Sequence, residues 1–195
     1  GIVAWLLVTL LVIAGMLWRP HKRTLRQRLG APELIMTLVM LLIVLARLHD
    51  IRDIVLPLWV DSVHHSVITD IISQLGGVPA TYEPYMPVGN LHYHFGFHSL
   101  CAALTWFSDL PAEQAVLLMG QVMNMLAPMA AHYLAEKLSR NRWTGVLAAV
   151  VTGALSYLPA YLVTWGRYTE LAGLVLLPAA LLLMRSALAR PRRLL

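Results

Sequence analysis

Residues 57–98 read PLWVDSVHHSVITDIISQLGGVPATYEPYMPVGNLHYHFGFH, and the rest of the chain is understood from this stretch. It lies between long apolar segments, yet it carries His64, His65, His92, His94 and His98. With His49 just upstream, that makes six of the eight histidines. Asp61, Asp70 and Glu83 accompany them, and no Lys or Arg does. Ionisable residues are costly at membrane depth, so polar sequence set between hydrophobic spans is where a membrane protein keeps its chemistry.

Composition says why the flanks are spans. Hydrophobic residues make up 58% of the chain and charged residues 13%, whereas soluble domains hold about 45–50% and 25%. The mean hydropathy of +0.67 agrees. A formal charge of +5 does not point to nucleic acid, because the basic residues fall into short loops between apolar segments. Cys101 is the only cysteine, which excludes an internal disulfide and a cysteine metal cluster.

Upstream of the polar stretch, residues 2–18 (IVAWLLVTLLVIAGMLW) are uncharged and just long enough for a ~30 Å core. The following loop holds Arg19, Lys22, Arg23, Arg26 and Arg28 without an acid, which assigns it to the cytoplasm. The second span is expected over 33–56. At its end, in RLHDIRD (47–53), Arg47 and Asp50 are three apart and His49 and Asp53 four apart, so both pairs can meet on a helix. The apolar start lacks a basic leader and a small-residue cleavage site, so it does not read as a signal peptide. An opening on Gly1 and a close on a basic run read as a piece of a longer protein.

Within the polar stretch, Val63, Val67, Ile71 and Leu75 recur at helical spacing and predict an amphipathic helix over 62–75. Gly76, Gly77 and Pro79 end it, and Pro84, Pro87 and Gly89 mark a loop. Residues 93–107 are apolar but short for a span, and they hold two histidines. Charge placement decides their role. If they cross, the basic residues around 137–142 and beyond 185 face outward. If they lie along the surface, spans at 112–136, 143–164 and 168–185 follow, and twelve of the fifteen Lys and Arg become cytoplasmic. The prediction is an all-α polytopic membrane helix bundle with five spans and two interfacial helices in a large external loop, 57–111. Leu75, Phe95, Phe97 and Trp106 are expected to pack the loop helices over the outer ends of the spans.

Asp61 alone would serve as a first-turn acid favoured by the helix dipole. With His64 and His65 one turn on, a carboxylate and imidazoles share a helix end, which suits general-base work. His94 and His98 stand four apart and so share one face of a helix, with His92 before them, a spacing that admits a divalent metal on His92, His94 and His98. Waters and carboxylates would satisfy the same rings equally well. No other cofactor is implied. The external turn 165–170 holds Arg167 and Glu170, and an Arg on an acidic outer face suggests an anion to be bound.

Taken together, WVDSVHHSVITDIISQLGGVP (59–79), EPYMP (83–87), HYHFGFHSL (92–100) and WGRYTELAG (165–173) resemble the membrane glycosyltransferases of the GT-C superfamily. In those enzymes a span ends in a large external loop whose first residues include an essential Asp, and two helices along the membrane follow. The resemblance implies a plasma (inner) membrane enzyme of the cell envelope that uses a lipid-linked sugar, a polyprenyl-phosphate donor. Asp61 would be the base, with Arg167, Tyr168, Glu170, His64, His65, His94 and His98 binding donor phosphate or substrate around one external cavity. Asp61-Ser62 replaces the Asp-Glu of many relatives, and the spans are about half as many.

Two other functions fit the residues. One is a non-catalytic membrane subunit of a larger complex, to which the methionines at 119, 123, 125 and 129 would lend an adaptable face. The other is a histidine-based metal or transport protein, which the scarcity of acids within the spans disfavours. The surface placement of 93–107 is testable directly. Thiol labelling from outside intact cells should reach Asp109→Cys and miss Asn141→Cys, and the reverse accessibility would overturn the five-span arrangement.

Overall fold

The computed structural model describes residues 30–189 apart from 88, 91 and 92, so the expected span over 2–18 and the basic residues 19–28 lie outside the described residues. What is described is all-α. Helix α1 (Ala31–Asp50) begins with Pro32, where no N–H is required, and the Glu33 carboxylate accepts from the Gly30 N–H at 2.9 Å. Helices α2 (Val60–Leu75) and α3 (Gly96–Ser108) occupy the connection to α4 (Ala112–Ser139). Then come α5 (Arg142–Val150), a π-turn at Val151–Leu155, α6 (Leu158–Thr164) and α7 (Tyr168–Ala189).

Four segments, Ala31–Asp50, Ala112–Ser139, Arg142–Thr164 and Tyr168–Ala189, are long and apolar enough to cross a membrane, with mean hydropathies from 1.2 to 2.1. By contrast α3 has 13 residues, a rise of about 20 Å against a ~30 Å core. Short turns join α4 to α5 and α6 to α7, so these segments alternate in direction, and α4 packs along both α5 and α7. The Arg142–Glu33 ion pair, at 2.7 Å, ties the starts of α1 and α5 together at one end of the bundle.

Three features differ from the sequence reading. The second span was expected to run to residue 56, but α1 stops at Asp50. There the Arg52 and Ile54 N–H groups turn back to the carbonyls of His49 and Ile51, three residues earlier. Asp53 is therefore not one helical turn from His49 and pairs with Arg52 at 3.1 Å, whereas Arg47 and Asp50 pair as spaced, at 3.3 Å. Second, 143–164 is not one rod. The Ser156 N–H reaches the Val151 carbonyl five residues back, Ser156 itself is extended, and Pro159 opens α6 without a donor.

Third, α2 is rotated from the predicted face. Its buried residues are Ser62, His65, Ile68, Thr69, Ile71 and Ile72, while Val63 and Leu75 are 65% and 67% exposed. The helix packs against α3 and α4, so Ser62, His65 and Thr69 face protein, Val60 and Val63 face outward, and Val67 packs partly against Ile68 and its neighbours. Of the four loop anchors, Phe97 is buried, Phe95 and Trp106 pack partly against Ile68, Ile71 and Ile72, and Leu75 does not. The Trp106 Nε1–H donates to the Ser73 carbonyl at 2.9 Å and fastens α3 to α2.

The core gathers where α3, α4 and α7 meet, around Phe97, Val116, Met123, Tyr168 and Leu171. Gly120 leaves the notch that accepts the Tyr168 ring, which a Cβ there would strike. Gly120→Ala should therefore lower the thermal midpoint in detergent, at a cost of about 1–3 kcal/mol for overpacking. Gly173→Ala meets nothing within 4 Å and should be neutral, or raise the midpoint by up to ~1 kcal/mol through helix propensity. Equal effects at both positions would contradict the packing.

Candidate functional site

Asp61 owes its position to two backbone features. Trp59, at φ 71, takes a conformation a non-glycine residue seldom adopts and swings the chain into α2, leaving Asp61 in the first turn, where the helix end favours an anion. Opposite, Gly166 has φ 73, and a Cβ on it would lie 2.8 Å from Ser62 Oγ and 3.2 Å from Asp61 Cβ. Only glycine lets this turn rest on α2. Arg167 is thereby set across from Asp61, with Nε 3.3 Å from Oδ2, and both side chains remain 44% exposed. The guanidinium also lies over the Trp165 ring, 4.5 Å from its centroid. An exposed ion pair stabilises by up to about 1 kcal/mol, so the glycine contact, more than the pair, fixes this geometry.

Behind the pair is an aromatic and imidazole layer. His65 Nδ1 and His98 Nε2 share a hydrogen bond of 2.8 Å, and both side chains are buried. Two neutral rings satisfy this contact, one donating and one accepting, whereas two cations would set N–H against N–H. Burial pushes the His65 pKa down to about 4 and that of His98 to about 3, and the His65 ring lowers that of His98 further. The Tyr168 ring stacks on Phe97 and meets His65 edge-on, and Ser62 Oγ lies 3.4 Å from its hydroxyl. His64 is half-buried and hydrogen-bonded to the Tyr82 hydroxyl at 3.1 Å. Burial lowers its pKa, and the Asp61 charge opposes that.

The remaining candidates are scattered. His94 is exposed and stacked on Tyr93, with ring centroids 4.2 Å apart. Glu170 is exposed in the first turn of α7. The expectation that His94 and His98 share a helix face is corrected, because α3 begins at Gly96 and His94 precedes it. His98 Nε2 is engaged by His65, His94 is on the surface, and His92 lies outside the described residues. Among the described residues no three His, Cys, Asp or Glu side chains converge as ligands.

A cavity of about 150 Å³ lies between the end of α1, the connection 51–58, α4, α6 and Tyr168. Asp61, Arg167 and the histidines do not line this cavity, and Tyr168 alone belongs to both places. Its polar lining, Arg47, Asp50, Gln121 and Asn124, was not singled out as a site. The available signal was a pair of amides one helical turn apart in an otherwise apolar span.

The class these elements define is a multi-pass α-helical membrane protein, with four described segments able to span. The chain belongs to the Family of unknown function (DUF6541), whose model matches residues 1–195. No curated protein and no solved structure matches it.

The buried histidine pair makes stability depend on pH. Both rings stay neutral in the fold down to about pH 4, whereas an unfolded His binds a proton near 6.5. The unfolded state thus holds more protons between about pH 6.5 and 4, so the stabilisation present above 6.5 is lost as pH falls through that window. Thermal midpoints in detergent should drop across it. His98→Gln retains a hydrogen-bonding group near the Nε2 position and should flatten the drop, and an unchanged slope would show that the pair does not titrate this way.

Proposed function

We propose that the protein is a membrane glycosyltransferase, or the N-terminal part of one, that moves a sugar from a polyprenyl-phosphate donor to an acceptor hydroxyl at the external face. The observation that carries this is the meeting of Asp61 and Arg167 at 3.3 Å, half-exposed, where the long connection 57–111 folds against the turn between α6 and α7. In the proposed reaction Asp61 accepts the proton of the acceptor hydroxyl as that oxygen bonds to the anomeric carbon. The bond from this carbon to the phosphate oxygen breaks, and Arg167 holds the charge left on the phosphate. Donor binding gives the guanidinium a phosphate in place of the carboxylate, which frees Asp61 to act as base. His64 stands one turn beyond Asp61, Glu170 follows Arg167 by three residues, and these two with the exposed His94 are assigned to the acceptor. Buried as they are, His65, His98 and Tyr168 serve as positioning residues.

A second reading has its own observation. In α1 and α7 only 6% of the membrane-length window is buried within the chain. Such faces meet lipid in an enzyme, and equally suit a non-catalytic subunit packed against larger membrane partners.

Reconstituted protein supplied with polyprenyl-phosphate sugars separates the two. Asp61→Asn should abolish transfer while donor still binds and the fold persists. Arg167→Ala should weaken donor binding roughly tenfold or more, the loss of one contact between charges. Wild-type turnover in Asp61→Asn removes the catalytic assignment. A wild-type protein that binds no polyprenyl phosphate, yet is isolated with stoichiometric membrane partners, is the subunit.

A further inference from the structure

Arg167 is held from two directions. Asp61 reaches its Nε from α2, at 3.3 Å. The Trp165 ring lies against the face of the guanidinium, with Cζ 4.5 Å from the ring centroid, and belongs to the same turn as the arginine. Residues two apart in a continuing helix do not face each other. Gly166, between them at φ 73, is left-handed and ends the helical path of α6, so ring and guanidinium can meet. The Arg167 N–H is fixed to the Leu162 carbonyl at 2.7 Å, and the Trp165 N–H to the Tyr161 carbonyl at 2.9 Å. The indole is steadied in turn by Tyr161, with ring centroids 5.3 Å apart, and Tyr161 by Tyr157, at 5.0 Å.

The two contacts use different parts of the arginine. All N–H donors of a guanidinium lie in its plane, so a carboxylate takes donors and a ring against the face takes none. A phosphate needs the same in-plane donors. It therefore competes with Asp61 and not with Trp165. An exposed ion pair holds its partners weakly, and a free arginine side chain spreads over many rotamers. Once the carboxylate is displaced, the indole on the arginine's own turn is what keeps the plane of the guanidinium fixed. We propose that Trp165 is a positioning residue that presents the edge of Arg167 to the phosphate of a lipid-borne ligand and keeps it there when Asp61 lets go. This rests on the reading of Arg167 as the phosphate contact.

The test uses the full chain in phosphatidylcholine nanodiscs, with decyl phosphate as the probe and decanol as its neutral match of equal chain length. Decyl phosphate should raise the wild-type thermal midpoint saturably at concentrations where decanol does not. Trp165→Leu should weaken the probe about fivefold, which is about 1 kcal/mol. Trp165→Phe restores a ring face and should recover most of that loss. In an Arg167→Ala background, Trp165→Leu should leave the residual affinity unaltered, because the indole acts only through the guanidinium. A merely structural role would lower affinity in both backgrounds. Trp165→Met fills space without a π face and carries the test if Trp165→Leu does not fold. No saturable wild-type response, wild-type affinity without the ring, no recovery with Trp165→Phe, or an equal loss in the Arg167→Ala background would overturn the assignment. Sugar transfer is a separate readout. A wild type that binds decyl phosphate with this dependence on Trp165, yet turns over no polyprenyl-phosphate sugar, ends the transferase reading and leaves the positioning role standing.

Discussion

The Tyr168 ring lies in the notch left by Gly120 on α4, parallel to Phe97 of α3 at 5.4 Å between centroids and edge-on to His65 of α2 at 5.6 Å. One side chain at the start of α7 thus joins four helices. It holds the turn before α7 against α2, and Gly166 permits the closeness that this requires. Arg167 then has little choice of where to point. The same ring closes one side of the cavity beyond α4, so the exposed ion pair and the enclosed amides are two faces of a single joint. Without it, the long connection 57–111 would be tied to the spans mainly through the packing of α2 and α3 on α4.

That joint is polar where a soluble core would be apolar. Ser62, His65, Thr69 and His98 point into protein, while Val60 and Val63 on the same helix point out. For a helix lying beside a bilayer this inversion is stable, because an outward valine meets no penalty in hydrocarbon and an inward imidazole finds another imidazole. The arrangement demands neutrality of both rings, and burial supplies it.

Much of this was legible beforehand. Composition and the placement of Lys and Arg were sufficient for an all-α membrane protein in which 93–107 is too short to cross; Arg167 was picked out by its isolation and Asp61 by its place at a helix start beside two histidines. The rotation of α2 was not legible, since an apolar stripe at helical spacing is conventionally turned inward and only the neighbours α3 and α4 decide otherwise. His94 and His98 were misread as helical partners because nothing in HYHFGFHSL marks where the helix starts. The amides Gln121 and Asn124 escaped notice for a different reason. Each is unremarkable alone, and only the fold brings them to Arg47 and Asp50 across 70 residues of chain, from position 50 to position 121.

The π-turn at Val151–Leu155 has a consequence for how the segment 142–164 is oriented. The Ser156 N–H closes the wide turn on the Val151 carbonyl, Ser156 is extended, and a new helix opens at Leu158. The rotation of α6 is therefore set by its own packing and is not inherited from α5. Both halves still pack on α4, each with its own inward set: Gly145, Val146 and Ala149 in one, Leu162 and Val163 in the other. The break uncouples the two halves, so each can be fitted to α4 without turning the other.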